Sequence, residues 1–228
     1  MVNINDVQAA ANALHRGFSA ILNSNHTGKL FEAWLMLEIG LVLRSRRWTV
    51  SWVDPGRHGG MIFRGGPGSL NPTTALEPGY LSLTRGGKDY EIHNSIRYRG
   101  ASGVSHEVDI SALSRSNADA ARLNKTAPQG LPRMALELKN YSDSMGIGLT
   151  RSALMSFLDL SYFCFPRPPA HLILPRFFIS AVVTSANGVG SSEALLQFYG
   201  SKILRNVKPD PSIRPGLHPC IRALCIGL

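Results

Sequence analysis

Met134-Ala135-Leu136-Glu137-Leu138-Lys139 is the stretch that decides the fold. Alternate side chains of an extended strand share a face, so Glu137 and Lys139 point one way while Leu136 and Leu138 point the other. The apolar flank marks a central strand whose polar face opens on something. Upstream, Glu107-Val108-Asp109-Ile110 alternates in the same manner. Three strand-like segments stand in succession, at 90–100, 105–113 and 131–141. A polar excursion, Ser114 to Gly130, separates the last two and carries Arg115, Arg122 and Lys125. If these two strands pair as a hairpin, Asp109 comes to lie beside Glu137.

Two carboxylates brought together repel, and burial sharpens the repulsion. A divalent cation removes that cost. A few carboxylate oxygens plus a substrate phosphate form a ligand set that magnesium accepts while keeping several waters. The ion would lower the pKa of a bound water and neutralise charge on a phosphate, with Lys139 placed to hold that water.

Further out, residues 28–43 predict a helix that is apolar on nearly every side, with Asn25 or Thr27 as its cap. An ionised carboxylate on such a helix is costly unless a cation or a donor meets it, which singles out Glu32. Glu38 falls on a different face, nearer the helix end. Val7, Ala10, Ala11, Leu14, Phe18 and Ile21 predict an earlier amphipathic helix over 6–22. Trp48 to Val53 alternates like a short strand. Glycine and proline crowd 54–79 and predict an irregular loop with a short strand at Met61-Ile62-Phe63. Downstream come a helix over 149–163, a strand over 176–185, a helix over 191–207 and an arm ending in a short apolar strand. The whole predicts an α/β protein, a mixed central sheet flanked by helices. Its parts are an N-terminal helix within 1–25, a main domain over 26–207 containing the 54–80 loop, and a C-terminal arm over 208–228.

Twenty-four basic residues against fifteen acidic ones give a net charge of +9, which favours a polyanionic partner. Arg97, Arg99, Arg115, Arg122 and Lys125 are the candidates for phosphate contact; solvated surface charge is the plainer role for each. Trp48 and Trp52 suit core packing better than base stacking. Glu107 suits a structural pair, His106 a packed position, Asp159 a helix-face partner and Asp143 a loop cap. Asn140 and Tyr141 fit a turn as well as a phosphate contact. Cys164, Cys220 and Cys225 suggest neither a zinc ribbon nor a disulfide framework. No signal-peptide run or bilayer-length apolar stretch is present, so the expected setting is the cytoplasm and no membrane.

His106-Glu107-Val108-Asp109-Ile110, followed by Met134-Ala135-Leu136-Glu137-Leu138-Lys139-Asn140-Tyr141, resembles the core of the PD-(D/E)xK nuclease superfamily, with its restriction-endonuclease-like fold. In that superfamily an acidic residue ends one strand and a (D/E)xK triplet lies on the next, which corresponds here to Asp109, Glu137 and Lys139. Glu137 follows Asp109 by 28 positions, and Val108 stands where the motif's proline would be. Gly28-Lys29-Leu30-Phe31-Glu32 resembles the family's helical glutamate pattern, which adds Glu32. The resemblance covers roughly 26–207. It implies catalysis by Glu32, Asp109, Glu137 and Lys139, with Mg2+ (or Mn2+ in its place) held by Glu32, Asp109 and Glu137. It also implies a DNA substrate and, as in many relatives, a homodimer. The alternative is a catalytically inactive nucleic-acid- or partner-binding module that keeps the nuclease fold.

Overall fold

The computed structural model describes residues 2–16, 19–22, 26–70, 77–130, 132–140, 145–162, 174–175 and 178–228. Phe18, Asn25, Tyr141, Asp143 and Cys164 lie outside them. Among the described residues no helix is long and apolar enough to cross a membrane.

Helix α2 (Thr27–Ser45) is the centre of one layer, and its residues from Leu30 to Leu43 are all buried. It is built from leucine, methionine, alanine and glutamate, which lose little rotamer freedom in a helix. His26 occupies its N-cap without capping the helix through its side chain, and Thr27 is already helical. Helix α1 (Ile4–Leu14) packs against it, opened by an Asn3/Asp6 capping box. The expected helix over 6–22 stops at Leu14. His15 turns extended, and the Arg44 guanidinium takes the carbonyls of Ala13 and Leu14. Residues 19–22 instead form a strand, β1 (Ser19–Leu22), parallel to β3 (Gly60–Phe63).

The main sheet has seven strands in the order β2-β4-β5-β6-β7-β8-β9. Their ranges are β2 (Thr49–Val53), β4 (Tyr80–Arg85), β5 (Lys88–Arg99), β6 (Ser105–Ser114), β7 (Met134–Lys139), β8 (Ile179–Thr184) and β9 (Lys202–Leu204). Neighbours are antiparallel from β2 to β7 and parallel from β7 to β9. This is a mixed α/β sheet flanked by helices. One face carries α1, α2 and the chain's C-terminal segment in a single core that includes Leu81, Ile92, Ile110, Leu136 and Leu138. The other face carries helices α3 (Arg115–Asn124), α4 (Ile147–Ser161) and α5 (Ser192–Phe198), packed on Ile96, Tyr98, Val108, Ala135 and Val182.

Several boundaries differ from the sequence expectation. The polar excursion after β6 holds α3, capped by the Ser114 hydroxyl, with only Ala118 and Ala121 buried. The helix expected over 191–207 ends at Phe198, because Gly200 takes a left-handed turn and the chain re-enters the sheet as β9. The C-terminal arm is no loose strand. It folds as α6 (Pro219–Leu224), with proline at the helix start, and buries Ile221, Leu224 and Leu228 against α2.

Candidate active site

Asp109 lies where the β5–β6 pairing changes hands. The ladder pairs Asn94 with Ile110 and Ile96 with Val108, but passes over Ser95 and Asp109. Ser95 has φ of +48°, a left-handed conformation that is costly for any residue but glycine. The alternation reverses there. Ile92 and Ile110 face α2, whereas Ile96 and Val108 face α4. Two strands that switch faces in the same row leave a gap in the sheet, and the Asp109 carboxyl occupies it.

On its other side Asp109 meets β7. The register pairs Ile110 with Leu136, and one step further places Asp109 opposite Glu137. The ladder has stopped by then, and Asp109 Oδ2 accepts the Leu138 amide at 2.7 Å in place of a backbone carbonyl. Glu137 and Lys139 share a face, and Lys139 Nζ donates to Glu137 Oε1 at 2.6 Å. Asn140, just beyond, donates to the Thr27 carbonyl and accepts from Ser185, fastening the end of β7 between α2 and β8.

Glu32 reaches the gap from α2 with its side chain 6% exposed. Lys29, one turn earlier, donates to it at 2.6 Å; Ser95 Oγ donates at 2.7 Å and Asn94 Nδ2 at 3.4 Å. These partners make burial tolerable without an ion: of the two alternatives, cation or donor, donors already meet this carboxylate. Lys29 also lies 3.7 Å from Glu107, the structural pairing expected of that residue. Glu38 points elsewhere and accepts the Gly216 amide at 2.7 Å.

The electrostatics single out Asp109. Burial first, then the charges of Glu137 and Glu32, raise its pKa well above the ordinary aspartate value, against the Leu138 amide and Lys139, which lower it. Burial likewise raises Glu32, opposed chiefly by Lys29. Lys29 is raised: burial lowers it, but Glu32, Glu107 and Asp109 together outweigh burial. Three carboxyl groups, Glu32, Asp109 and Glu137, thus border the gap against two lysines, and the buried Asp109 is the one whose ionisation is most opposed. An all-oxygen donor set with surplus negative charge suits a hard divalent cation. Among the described residues, however, no three such side chains are already drawn together around one point. Glu137 and Glu32 each lean on a lysine instead.

The basic residues divide into two groups. Arg97 and Arg99 are exposed on alternate positions of β5, and Arg97 lies opposite Glu107, beside the gap. Arg115, Arg122 and Lys125 belong to α3, beyond the other end of β6, with Arg115 roughly 20 Å along the strand from Asp109. Arg115 donates to Ser82 Oγ, and Arg122 grips the buried Glu91 carboxylate at 2.5 and 3.0 Å. These two guanidinia hold the fold rather than the rim of the gap; Lys125 is exposed as the C-cap of α3. His106 and Asp159 pair at 2.5 Å, with Ser102 donating to the same carboxylate, and tie the β5–β6 turn to α4. Trp48 is buried beneath the Arg85 guanidinium and Trp52 packs on Phe63.

Sequence reasoning missed Lys29, Asn94 and Ser95. Lys29 had a signal, since a cation three residues before a glutamate on a helix is its natural partner. Ser95 had none, because its role comes from a backbone conformation its residue type does not announce. No protein-family model matches this chain, and no curated protein sequence matches it.

Proposed function

We propose that this protein is a metal-dependent endonuclease that hydrolyses phosphodiester bonds in DNA in the cytoplasm, with a restriction-endonuclease-like site. The observation that carries this is the buried Asp109 carboxyl, flanked by the charges of Glu137 and Glu32 at a break in the sheet, with lysines on both sides. Magnesium, or manganese in its place, would supply a Lewis acid and an acidified water there. Asp109, Glu137 and Glu32 would hold the ion. Lys139, released from Glu137, would orient the attacking water and stabilise charge developing on the phosphate. Arg97 and Arg99 would grip the strand outside the gap. Two copies of the chain would address two strands.

The test is cleavage of supercoiled plasmid with magnesium against the same mixture with chelator. Lys139→Ala should lower the rate by about 100-fold or more, while duplex affinity stays near that of the parent. A parent protein that cuts as fast in chelator, or a variant that cuts as fast as the parent, removes this assignment. A second reading, an inactive module that binds nucleic acid, has one observation in its favour: Glu137 and Glu32 are each already paired with a lysine. It predicts binding without cleavage under any divalent metal.

A further inference from the structure

Beside the acidic gap, across Asn94, lies a second polar chamber that the proposed chemistry does not use. Asn94 donates to Glu32 on one side and to the Arg64 carbonyl on the other, and its own carbonyl accepts the Arg64 amide. Arg64 lines a cavity of about 200 Å³ together with Tyr80, His93, Arg122, Leu70 and Glu77, whose carboxylate also borders the cavity but makes no ion pair with Arg64. The residue is only 6% exposed. Among the described residues its guanidinium has neither a carboxylate nor a carbonyl as partner. The nearest charge acting on it is that of Arg122, also a cation.

A guanidinium this far buried without an anion is costly, because its charge has lost most of its hydration and its donors open only on the cavity. Burial and Arg122 lower its pKa to about 10, so it stays charged at neutral pH and the cost stands. Its neighbours are already committed. Arg122 is paired with Glu91 and sits 5.0 Å over the Tyr80 ring, which itself stacks on His93. His93 Nε2 lies 2.9 Å from Glu91. Burial lowers the His93 pKa to about 4, with Arg64 and Arg122 adding to the fall against Glu91. The ring is therefore neutral, donates from Nε2, and leaves Nδ1 as an acceptor, buried and without a partner. The chamber thus offers one cation in want of an anion and one acceptor in want of a donor, beside aromatic and apolar walls and, at its border, the Glu77 carboxylate.

We propose that this chamber is a phosphate-binding site: Arg64 takes the oxygens of a phosphoryl group, and His93 Nδ1 takes a hydroxyl proton on or next to it. A guanidinium fork matches two oxygens of such a group, and Arg122 adds a second positive field. The site stands on its own geometry. That its phosphoryl group is the 5′ end of a nucleic-acid strand lying in the adjacent gap rests on the nuclease reading.

The experiment separates the two. Calorimetric titration of inorganic phosphate into metal-free protein should show one site per chain, weakened at least tenfold in Arg64→Gln. Arg64→Lys, which keeps the charge and loses the fork, should bind at an intermediate strength. Equal phosphate affinity in the parent and both variants, or no binding by the parent, overturns the proposal. No DNA and no cleavage enter this arm, so its outcome is independent of the nuclease reading. In a second arm, duplexes with a 5′-phosphate and a 5′-hydroxyl are compared by fluorescence anisotropy without divalent metal. A preference for the phosphorylated end that disappears in Arg64→Gln supports a strand terminus as the source. Indifference of the parent to the 5′ group rules out the strand terminus and leaves free phosphate as the ligand.

Discussion

At the scale of single residues, Asp109 makes the sharpest prediction. Its pKa is raised by folding, so the folded state binds that proton more tightly than the unfolded one. Stability is then lost as pH climbs from the ordinary aspartate range through the raised value. Asp109→Asn removes the titration. In metal-free buffer its thermal midpoint should gain on the parent's as pH rises above the ordinary aspartate range. Magnesium above that range should recover the parent's midpoint, by about 2.7 kcal/mol at 100 times its Kd, and leave the variant's unchanged. Scanning calorimetry of both proteins decides it; parallel pH profiles would mean that Asp109 is not under electrostatic stress. Glu137 and Lys139 were legible in the sequence because alternation along β7 is read directly from residue order; Asp109 was picked from the same pattern in β6, although that alternation reverses at Asp109 itself. Glu32 was legible as a polar residue on an apolar helix. The donors that meet it were not, since Asn94 and Ser95 reach it through a sheet row that breaks its own periodicity.

At the scale of elements, strand β5 and helix α3 hold their positive charge differently: Arg97 and Arg99 are exposed, whereas Arg115 and Arg122 are tied into the fold. Of these four, only the β5 pair is free for the proposed phosphate contacts. Arg97→Ala with Arg99→Ala should weaken DNA binding and reduce the slope of log affinity against log salt by about 2, with the thermal midpoint hardly moved. Arg122→Ala should do the reverse. It strands Glu91, which is 1% exposed, and should cost on the order of 3 kcal/mol in a urea titration. A salt slope unchanged in the β5 double variant would place the DNA elsewhere. Sequence periodicity found α2, β6, β7 and β8 because each buries large side chains at a regular interval. It missed α3, whose buried stripe is two alanines, and β4, where only Leu81 and Leu83 alternate after a run of glycine and proline. It carried α5 too far, because Ile203 and Leu204 continue the apolar pattern past the Gly200 turn.

At the scale of the whole molecule, α2 packs against both α1 and the C-terminal segment. The last segment is structural: Gly216 donates to Glu38, and Ile221, Leu224 and Leu228 are buried on the helix. Each such side chain contributes about 1.5–3 kcal/mol, so removing residues 209–228 forfeits an amount comparable to the entire stability of a domain. The truncated chain should lose its cooperative thermal transition. Gly216→Ala is a milder probe of the same contact. Its φ is +79° and a Cβ there would stand 2.8 Å from that of Leu41, so the midpoint should fall while the acidic gap keeps its geometry. Sequence composition had set this arm outside the fold, since proline-rich stretches look like linkers until the surface that receives them is known.

Val2 and Leu228 belong to the same core, and residues from both ends, Asn3 and Asp6 with Asp210 and His218, line one shared cavity. Residues near the two ends of the fold are therefore neighbours in space. Joining the two ends with a short glycine-serine linker and opening the chain between Gly86 and Gly87, in the exposed turn of the β4–β5 hairpin, would give a circular permutant with every layer retained. That permutant should fold, and its Asp109, Glu137 and Glu32 should still border the same gap, although Glu32 would now follow Glu137 in the chain instead of preceding it.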